Sequence, residues 1–305
     1  MTRKTPPVNM AASVRDRLRK RSREAGVDFG FLLLRYANER FLYRMQHSPH
    51  AGNLILKGAQ LFLLWEGTMY RPTRDVDFLG FGEASEQHIR NVIRDICMVS
   101  DVPNDGLIFD VETISIENTR LDDEYDGFRI KMYAYLGQAR IPMQFDVGYG
   151  DAVTPEAEEA EYPTILDFPA PWIRTYPVET VIAEKLEAMV RFGIANGRMK
   201  DFGDLHRIAR NHELRGEILI QAIRATFSRR GAELPDETPV ALTSEFYENP
   251  AVQNRWSGYL QKQKLEDEPL EDVIWELRRF LLPPIEAIRA DRRFRRSWRA
   301  GGPWE

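Results

Sequence analysis

The chain has 305 residues and a formal net charge of −5, and its 43% hydrophobic and 29% charged residues exclude a collagenous, coiled-coil or wholly disordered protein. The length predicts one large domain or two ordinary ones, and the single cysteine, Cys97, excludes a disulfide framework and a multi-cysteine zinc site. No apolar run reaches the roughly 18 residues of a membrane span, and the N-terminus lacks a secretory pattern, so we expect a cytoplasmic protein without a membrane partner.

The positive charge is concentrated at the two ends. Residues 1–24 carry eight Lys/Arg against two acids, and residues 287–299 carry six Arg against one acid. Positive patches attract phosphate backbones, so both ends favour a nucleic-acid partner. Two alternatives stay open: the first end is only the solvated side of a helix, and the second is only a loose tail.

The first half of the chain mixes helices and strands. Two helices are predicted over 10–24 and 28–46, the second with Asp28 as its N-cap. A strand over 54–56 is followed by Lys57-Gly58 and a short buried helix. The further predicted elements are a strand over 74–79, a helix over 85–100, and strands over 107–116, 128–136 and 141–147.

The second half looks mainly helical. Residues 151–162 contain five acids and no base, which predicts an exposed loop and an internal boundary. The helices that follow are predicted over 178–192, 200–211, 214–229, 240–262 with a break near Pro250, and 270–282 with a stop at Pro283-Pro284. This order predicts an α+β protein: a mixed β-sheet with flanking helices in residues 1–165, and a helical C-terminal lobe in residues 166–305.

Two carboxylates on one predicted strand are the first candidate for a functional site. Residues two apart on a strand point to the same face, so Asp75 and Asp77 lie side by side while Val76 and Phe78 face the core. Two neighbouring carboxylates repel unless a cation lies between them, and Mg²⁺ is commonly held by one or two carboxylates plus substrate phosphates. Solvent-facing polar surface is the simpler interpretation of this pair.

Asp146 is a third candidate metal ligand. It alternates with Phe145 and Val147 on a predicted strand that we expect to lie beside the Asp75 strand. Three carboxylates would then converge from neighbouring strands, as a two-metal site requires for positioning an attacking hydroxyl and a leaving phosphate.

Basic residues and a glycine surround the same segment. Gly58 follows a strand and opens a helix, where backbone N–H groups can approach an anion. Lys57, Arg71 and Arg74 supply cations nearby. This pattern predicts that Lys57, Gly58 and Arg74 bind the phosphates of a nucleotide.

Lys185 falls on the apolar face of the predicted helix 178–192. A lysine there needs an anionic partner or must extend to water, so a triphosphate, a catalytic carboxylate and a structural ion pair are all open. On the next helix, Asp201 borders the inward face and is expected to pair with Lys185, to reach the site or to cap the helix, whereas Asp204 is expected to face outward.

Several segments of the chain together resemble the AbiEii/AbiGii toxin family, whose members have the nucleotidyltransferase fold of the DNA polymerase β superfamily. They extend over about 50–210, roughly half of the chain. The matching segments are Leu56-Lys57-Gly58-Ala59, Arg71-Pro72-Thr73-Arg74-Asp75-Val76-Asp77, Phe145-Asp146-Val147, the helix from Glu179 to Ala188, and Arg198 to Leu205.

The resemblance implies roles for individual residues. It implies that Asp75 and Asp77 bind the catalytic metal and that Lys185 and Asp201 are needed for activity. One segment departs from the superfamily pattern: the usual Gly-Ser or Gly-Gly-Thr turn, whose hydroxyl helps to hold the triphosphate, is Gly58-Ala59-Gln60 here. The nucleotide must therefore rely more on backbone N–H groups, Lys57 and Arg74.

We therefore expect a Mg²⁺- or Mn²⁺-dependent nucleotidyltransferase that moves a nucleoside monophosphate from an NTP to an acceptor hydroxyl. The resemblance implies a toxin of a toxin–antitoxin pair, with a winged-helix antitoxin as partner and RNA, such as the tRNA acceptor end, as substrate. Transfer to a small molecule such as an aminoglycoside or to a protein hydroxyl, a catalytically silent binding module, and a carboxylate-metal nuclease are the alternatives.

Overall fold

The computed structural model describes residues 9–121 and 125–305, so predictions about residues 1–8 lie outside the described residues. The described chain forms two compact units. The first comprises the described residues up to Gly150 together with Glu158–Thr175, and the second comprises Asp151–Ala157 and Tyr176–Glu305. The predicted division into domains 1–165 and 166–305 stays a prediction. Among the described helices, none is long and apolar enough to cross a membrane.

The first unit opens with two helices and continues with strands and short helices. Its elements are α1 (Met10–Ala25), α2 (Phe29–Gln46), β1 (Leu54–Lys57), α3 (Leu61–Glu66), β2 (Asp75–Gly80), α4 (Glu86–Cys97), β3 (Leu107–Leu121), β4 (Tyr125–Leu136), β5 (Ala139–Tyr149), β6 (Glu158–Glu161) and β7 (Trp172–Thr175). A 3-10 turn, Gly58–Gln60, joins β1 to α3. All elements predicted between residues 10 and 147 are confirmed, and Asp28 caps α2 by accepting the Phe31 N–H.

The strands of this unit form a mixed sheet in the order β3-β4-β5-β2-β1-β7-β6. The first three strands are an antiparallel meander. The fourth position is filled by β2, which runs parallel to β5 and antiparallel to β1. A parallel contact between β1 and β7 and an antiparallel pair of β7 with β6 complete the sheet. The α+β class is therefore confirmed for the described chain.

Helix α2 is the main packing partner of the sheet. Its Phe41 ring stacks on Phe145 of β5 with ring centroids 4.2 Å apart. The helix is buried on almost all sides, so it also buries charge: Arg44 makes a bidentate pair with Asp105 at 2.6 and 3.1 Å, and Arg40 donates to the same carboxylate. Because each buried charge has a partner, the helix can occupy the interior.

The prediction of an exposed loop over 151–162 is wrong in its second part. Glu158–Glu161 forms β6 on β7, and neither strand was predicted. Tyr162 is fully buried and donates its hydroxyl to Gln60 at 2.7 Å. An edge strand pairs its backbone while its acidic side chains stay in water, so its composition cannot be told from that of an exposed loop.

The second unit is mainly helical, as predicted. It contains α5 (Val178–Phe192), α6 (Met199–Asn211), α7 (Gly216–Arg229), α8 (Ser244–Tyr247), α9 (Pro250–Gln263) and α10 (Leu270–Arg289), with a small antiparallel pair of β8 (Leu214–Arg215) and β9 (Ser297–Trp298). Pro250 begins α9, in agreement with the predicted break.

The predicted stop at Pro283-Pro284 is wrong, because α10 continues through both prolines to Arg289. Pro284 has no N–H to donate to the carbonyl of Phe280 one turn earlier. The indole N–H of Trp304 donates to that carbonyl instead, at 2.9 Å. A residue twenty positions later thus satisfies the acceptor that the proline leaves open.

The basic C-terminal end is not a loose tail. Phe294, Trp298 and Trp304 are buried, and the Trp298 indole donates to the Ala209 carbonyl at 2.7 Å. The arginines before and between these anchors are exposed: Arg292, Arg293, Arg295, Arg296 and Arg299. The segment therefore presents positive charge from a packed conformation.

We expect Trp304→Phe to lower the free energy of unfolding by about 1–3 kcal/mol, because the Phe280 carbonyl loses its donor while most of the ring packing is kept. Urea denaturation followed by circular dichroism measures the change. The control is Trp275→Phe, since Trp275 is 52% exposed. Equal stability of the Trp304→Phe variant and the wild type would contradict the role given to this hydrogen bond.

Candidate metal and nucleotide site

The three candidate carboxylates lie on two neighbouring strands of the first unit. The parallel register of β2 and β5 places Asp77 directly beside Asp146, which confirms the predicted strand adjacency. Val76 and Phe78 are buried, so the side chains of Asp75 and Asp77 lie on the opposite face of β2. The cluster therefore forms because side chains alternate between the two faces of β2 and because β2 pairs in register with β5.

This cluster has the composition and the dimensions of a metal site. One oxygen from each of Asp75, Asp77 and Asp146 can be chosen so that all three lie within 4.8 Å of one another. Asp146 is buried, and the other two are half-buried. Hard divalent cations such as Mg²⁺ and Mn²⁺ bind carboxylate oxygens, and three ionised groups this close repel without a cation. The donor set therefore fits a divalent metal ion.

Gly58 is held against one of these carboxylates. Its φ is +72°, and a Cβ added there would lie 2.0 Å from Oδ2 of Asp77. Only glycine allows both the backbone conformation and this approach. The turn after β1 therefore needs a glycine because Asp77 occupies the space that a side chain would fill.

The rest of the unusual Gly58-Ala59-Gln60 turn faces the interior. Ala59 and Gln60 are buried, and the Gln60 amide donates to the backbone carbonyl of Asp75 at 3.3 Å and accepts from Tyr162. Through these two hydrogen bonds, Gln60 connects the start of β2 to Tyr162, which precedes β7. A hydroxyl does lie at the cluster, because Thr73 donates to Oδ1 of Asp75.

The predicted cations of this region differ in exposure. Lys57 lies opposite Asp77 in the β1–β2 register and is half-buried. Arg74 is exposed just before β2, whereas Arg71 is buried and donates to the Tyr70 hydroxyl at 3.2 Å. Lys57 and Arg74 are therefore more accessible to a ligand than Arg71.

Sequence reasoning missed Arg129 of β4. It faces Asp146 across the β4–β5 register and makes a bidentate pair with it, with Nε to Oδ1 at 2.9 Å and Nη2 to Oδ2 at 2.8 Å. The hydrogen bond to Asp146 raises the pKa of Arg129 above its ordinary value, with smaller contributions from Asp75 and Glu117. Alternating basic residues at 129 and 131 were the available signal, but the partner depends on a register that the sequence does not show.

A second charged cluster lies in the second unit. The Lys185 ammonium donates to Asp201 at 2.6 Å and to Asp204 at 2.8 Å, and Arg198 donates to the other oxygen of Asp201 at 2.6 Å. The prediction that Asp204 faces outward is wrong, because it is 1% exposed. The helical pattern put Asp204 outside the apolar face, but a buried lysine offers a partner that lets a carboxylate turn inward.

The ion pairs of this cluster outweigh the cost of burial. Burial alone would lower the pKa of Lys185, but Asp201 and Asp204 raise it above its ordinary value. Burial would raise the pKa of Asp201, yet Lys185 and Arg198 hold it below its ordinary value. Lys185 and Asp201 are therefore both charged near neutral pH. That Lys185 and Asp201 serve the same reaction as the three carboxylates stays a prediction.

The chain belongs to the family of nucleotidyl transferase AbiEii toxins of type IV toxin–antitoxin systems, whose model matches residues 40–288. The family resemblance predicted from the motifs is therefore confirmed. No curated protein matches the chain.

Three solved structures resemble the chain at low sequence identity. JHP933 from Helicobacter pylori is 15% identical, with a TM-score of 0.46 and coverage of 85% of this chain and 94% of its own. A candidate nucleotidyltransferase from H. pylori is 15% identical, with a TM-score of 0.48 and coverage of 86% and 98%. An antigenic nucleotidyltransferase-like protein from Paracoccidioides brasiliensis is 11% identical, with a TM-score of 0.31 and coverage of 88% and 93%.

We expect Gly58→Ala to weaken Mn²⁺ binding by about tenfold or more, because the new Cβ displaces Asp77. Isothermal titration calorimetry without nucleotide measures the affinity. The matched control is Gly67→Ala: Gly67 has a φ of +70°, but no atom lies within 4 Å of an added Cβ. Both variants carry the same backbone strain of about 1–2 kcal/mol. Equal Mn²⁺ affinity in the two variants would contradict the assignment.

We expect Lys185→Met to lower the free energy of unfolding by about 3–5 kcal/mol near neutral pH, because two buried carboxylates lose their shared partner. Chemical denaturation measures the change. Lys200→Met, at an exposed position of α6, is the control and should change stability little.

The pH dependence of the Lys185→Met variant provides a second readout. A carboxylate with a lowered folded-state pKa stabilises the fold above its unfolded-state pKa, and this stability is lost as the pH falls through the folded-state pKa. In the variant, Asp201 keeps Arg198 but both buried carboxylates have lost the Lys185 ammonium, so their protonation instead raises the stability of the fold. The stability difference between wild type and variant should therefore narrow between about pH 6 and pH 3, and a constant difference would contradict the ion-pair account.

Proposed function

We propose that this member of the AbiEii family uses a divalent metal, Mg²⁺ or Mn²⁺, to transfer a nucleoside monophosphate from an NTP to a hydroxyl group of RNA. Family membership supports the transferase class. The observation that carries the metal-dependent chemistry is the convergence of Asp75, Asp77 and Asp146 within 4.8 Å beside the Gly58 turn. A site of this kind works mainly by positioning reactants and by balancing charge around phosphorus.

In the proposed reaction, the acceptor hydroxyl oxygen attacks the α-phosphorus and forms the new P–O bond. The bond from that phosphorus to the bridging oxygen breaks, and pyrophosphate leaves. Asp75 and Asp77 would hold the metal. Asp146 would either accept the proton of the attacking hydroxyl or complete the metal site, in which case the proton passes to solvent. The bound metal supplies Lewis-acid stabilisation of the phosphate oxygens.

The triphosphate has several candidate partners in this chain. The Gly58 backbone lies at the turn that touches Asp77, Lys57 lies across from Asp77 in the sheet, and Arg74 is exposed next to it. Lys185 is proposed to neutralise phosphate charge, with Asp201 orienting it. An ammonium has three N–H donors, and Asp201 and Asp204 account for two of those of Lys185.

The proposed RNA acceptor is supported by exposed positive charge in each unit. In α1, Arg19, Lys20, Arg21 and Arg23 are exposed. The packed C-terminal segment exposes five further arginines. Positively charged side chains bind phosphate backbones with an affinity that falls steeply as the salt concentration rises. The affinity for a small-molecule acceptor such as an aminoglycoside would depend only weakly on salt. The family's toxin–antitoxin context further supports a winged-helix antitoxin partner and action in the cytoplasm, with the tRNA acceptor end as one RNA substrate.

A catalytically silent binding module is the second candidate function. The feature in its favour is the Gly58-Ala59-Gln60 turn, which offers no hydroxyl to a triphosphate because Ala59 and Gln60 are buried. The labelling experiment below distinguishes the two functions.

We expect purified protein to label total RNA from an α-³²P NTP in the presence of Mg²⁺, and Asp77→Asn to lower the rate by about a thousandfold because a metal ligand is lost. Asp101→Asn, at an exposed position outside the site, is the matched control. Ribonuclease should remove the label. Labelling that survives Asp77→Asn would contradict the site, and no labelling of RNA, protein or small-molecule pools would favour the binding module.

A further inference from the structure

The pairing of Arg129 with Asp146 gives one of the three carboxylates a second partner. Both oxygens of Asp146 accept from the guanidinium in a bidentate arrangement, at 2.9 and 2.8 Å. The Gln144 amide lies farther from the same oxygens, at 3.3 and 3.4 Å. Asp146 is thus a carboxylate whose oxygens a metal ion can bind only by sharing them with Arg129 or by displacing it.

The guanidinium of an arginine keeps its positive charge at every pH at which proteins are folded, because it stays protonated throughout that range. Arg129 offsets one of the three negative charges of Asp75, Asp77 and Asp146. Without Arg129 the same three carboxylates would attract cations more strongly. The residue therefore limits the affinity of the empty cluster for metal.

The guanidinium of Arg129 is also available to a ligand. Its side chain is 36% exposed, compared with 7% for Asp146. The bidentate pair uses two of its five N–H donors, and no other acceptor lies against the remaining three among the described side chains, those of residues 9–119 and 127–305. The neighbouring cation of the same strand face, Lys131, is already paired with Glu117 at 2.7 Å.

We infer that Arg129 is a phosphate-binding residue that serves the metal cluster in two states. Without nucleotide it holds Asp146 and weakens metal binding, and with nucleotide it turns its planar donor edge to a phosphate group of the NTP, which frees Asp146 for the metal. Arginine suits this exchange because its fork matches carboxylates and phosphates equally well. The inference rests on the proposed function and extends it: metal and NTP bind cooperatively because each removes the competitor of the other.

A purely structural clamp between β4 and β5 is the alternative role for Arg129. Such a clamp would order the cluster, so its loss would weaken metal binding and nucleotide binding together. The proposed exchange predicts opposite effects on the two affinities. This difference in sign makes the two roles separable by binding measurements.

The test measures Mn²⁺ affinity without nucleotide, and then the affinity for an α,β-methylene NTP analogue at saturating Mn²⁺, by calorimetry on the full chain. In Arg129→Gln we expect Mn²⁺ to bind about tenfold more tightly or better, and the analogue to bind about tenfold more weakly or worse. Arg129→Lys keeps the positive charge but loses the planar pair of N–H donors. Its Mn²⁺ affinity should therefore stay within about twofold of wild type, and its affinity for the analogue should lie between those of the wild type and Arg129→Gln.

The matched control is Lys131→Gln, which removes the same charge two residues along β4 but from the partner of Glu117. We expect both of its affinities to stay within about twofold of wild type, since an exposed pair is screened.

Unchanged or weaker Mn²⁺ binding by Arg129→Gln would overturn the inference, as would unchanged binding of the analogue. In either case, the proposed metal site would still be supported if the wild type binds Mn²⁺ and Asp77→Asn does not. If the wild type binds no Mn²⁺ at all, the proposed function fails together with the inference.

Discussion

Electrostatic repulsion among three carboxylates is the constraint around which the first unit is built. Asp75, Asp77 and Asp146 offer oxygens within 4.8 Å of one another. At an effective dielectric constant typical of a protein surface, two such charges repel by several kcal/mol, on the order of 4 kcal/mol at about 4 Å. The sheet holds them together because their strands are paired in register. The paired strands thus hold the three carboxylates together against their mutual repulsion.

The surroundings of the cluster show how the fold tolerates this repulsion. Gly58 leaves room for the Asp77 carboxylate, Gln60 fastens the start of β2 through its bonds to the Asp75 carbonyl and to Tyr162, and Arg129 neutralises one charge. Gly58 and Arg129 contact the carboxylates themselves, whereas Gln60 binds the backbone beside one of them. In the Gly58-Ala59-Gln60 turn, both residues after the glycine are buried, and Gln60 makes its two hydrogen bonds in the interior.

The sequence predicted those parts of the fold and site that depend on local periodicity. Alternation along β2 placed Asp75 and Asp77 on one face, and the apolar face of α5 included Lys185. Features that depend on distant partners were missed or wrong. Arg129 finds Asp146 only through the β4–β5 register, Asp204 turns inward only because Lys185 is there, and α10 passes Pro284 because a later tryptophan satisfies the open carbonyl. Roles of the site residues stay predictions.

Anomalous diffraction at the manganese edge, from crystals grown with Mn²⁺ and a non-hydrolysable NTP analogue, tests the central claim most directly. The account predicts a peak in contact with carboxylate oxygens of Asp75, Asp77 and Asp146, with Arg129 turned to a phosphate group. A manganese peak elsewhere, or density for the analogue at the Gly58 turn without any metal among the three carboxylates, would contradict it.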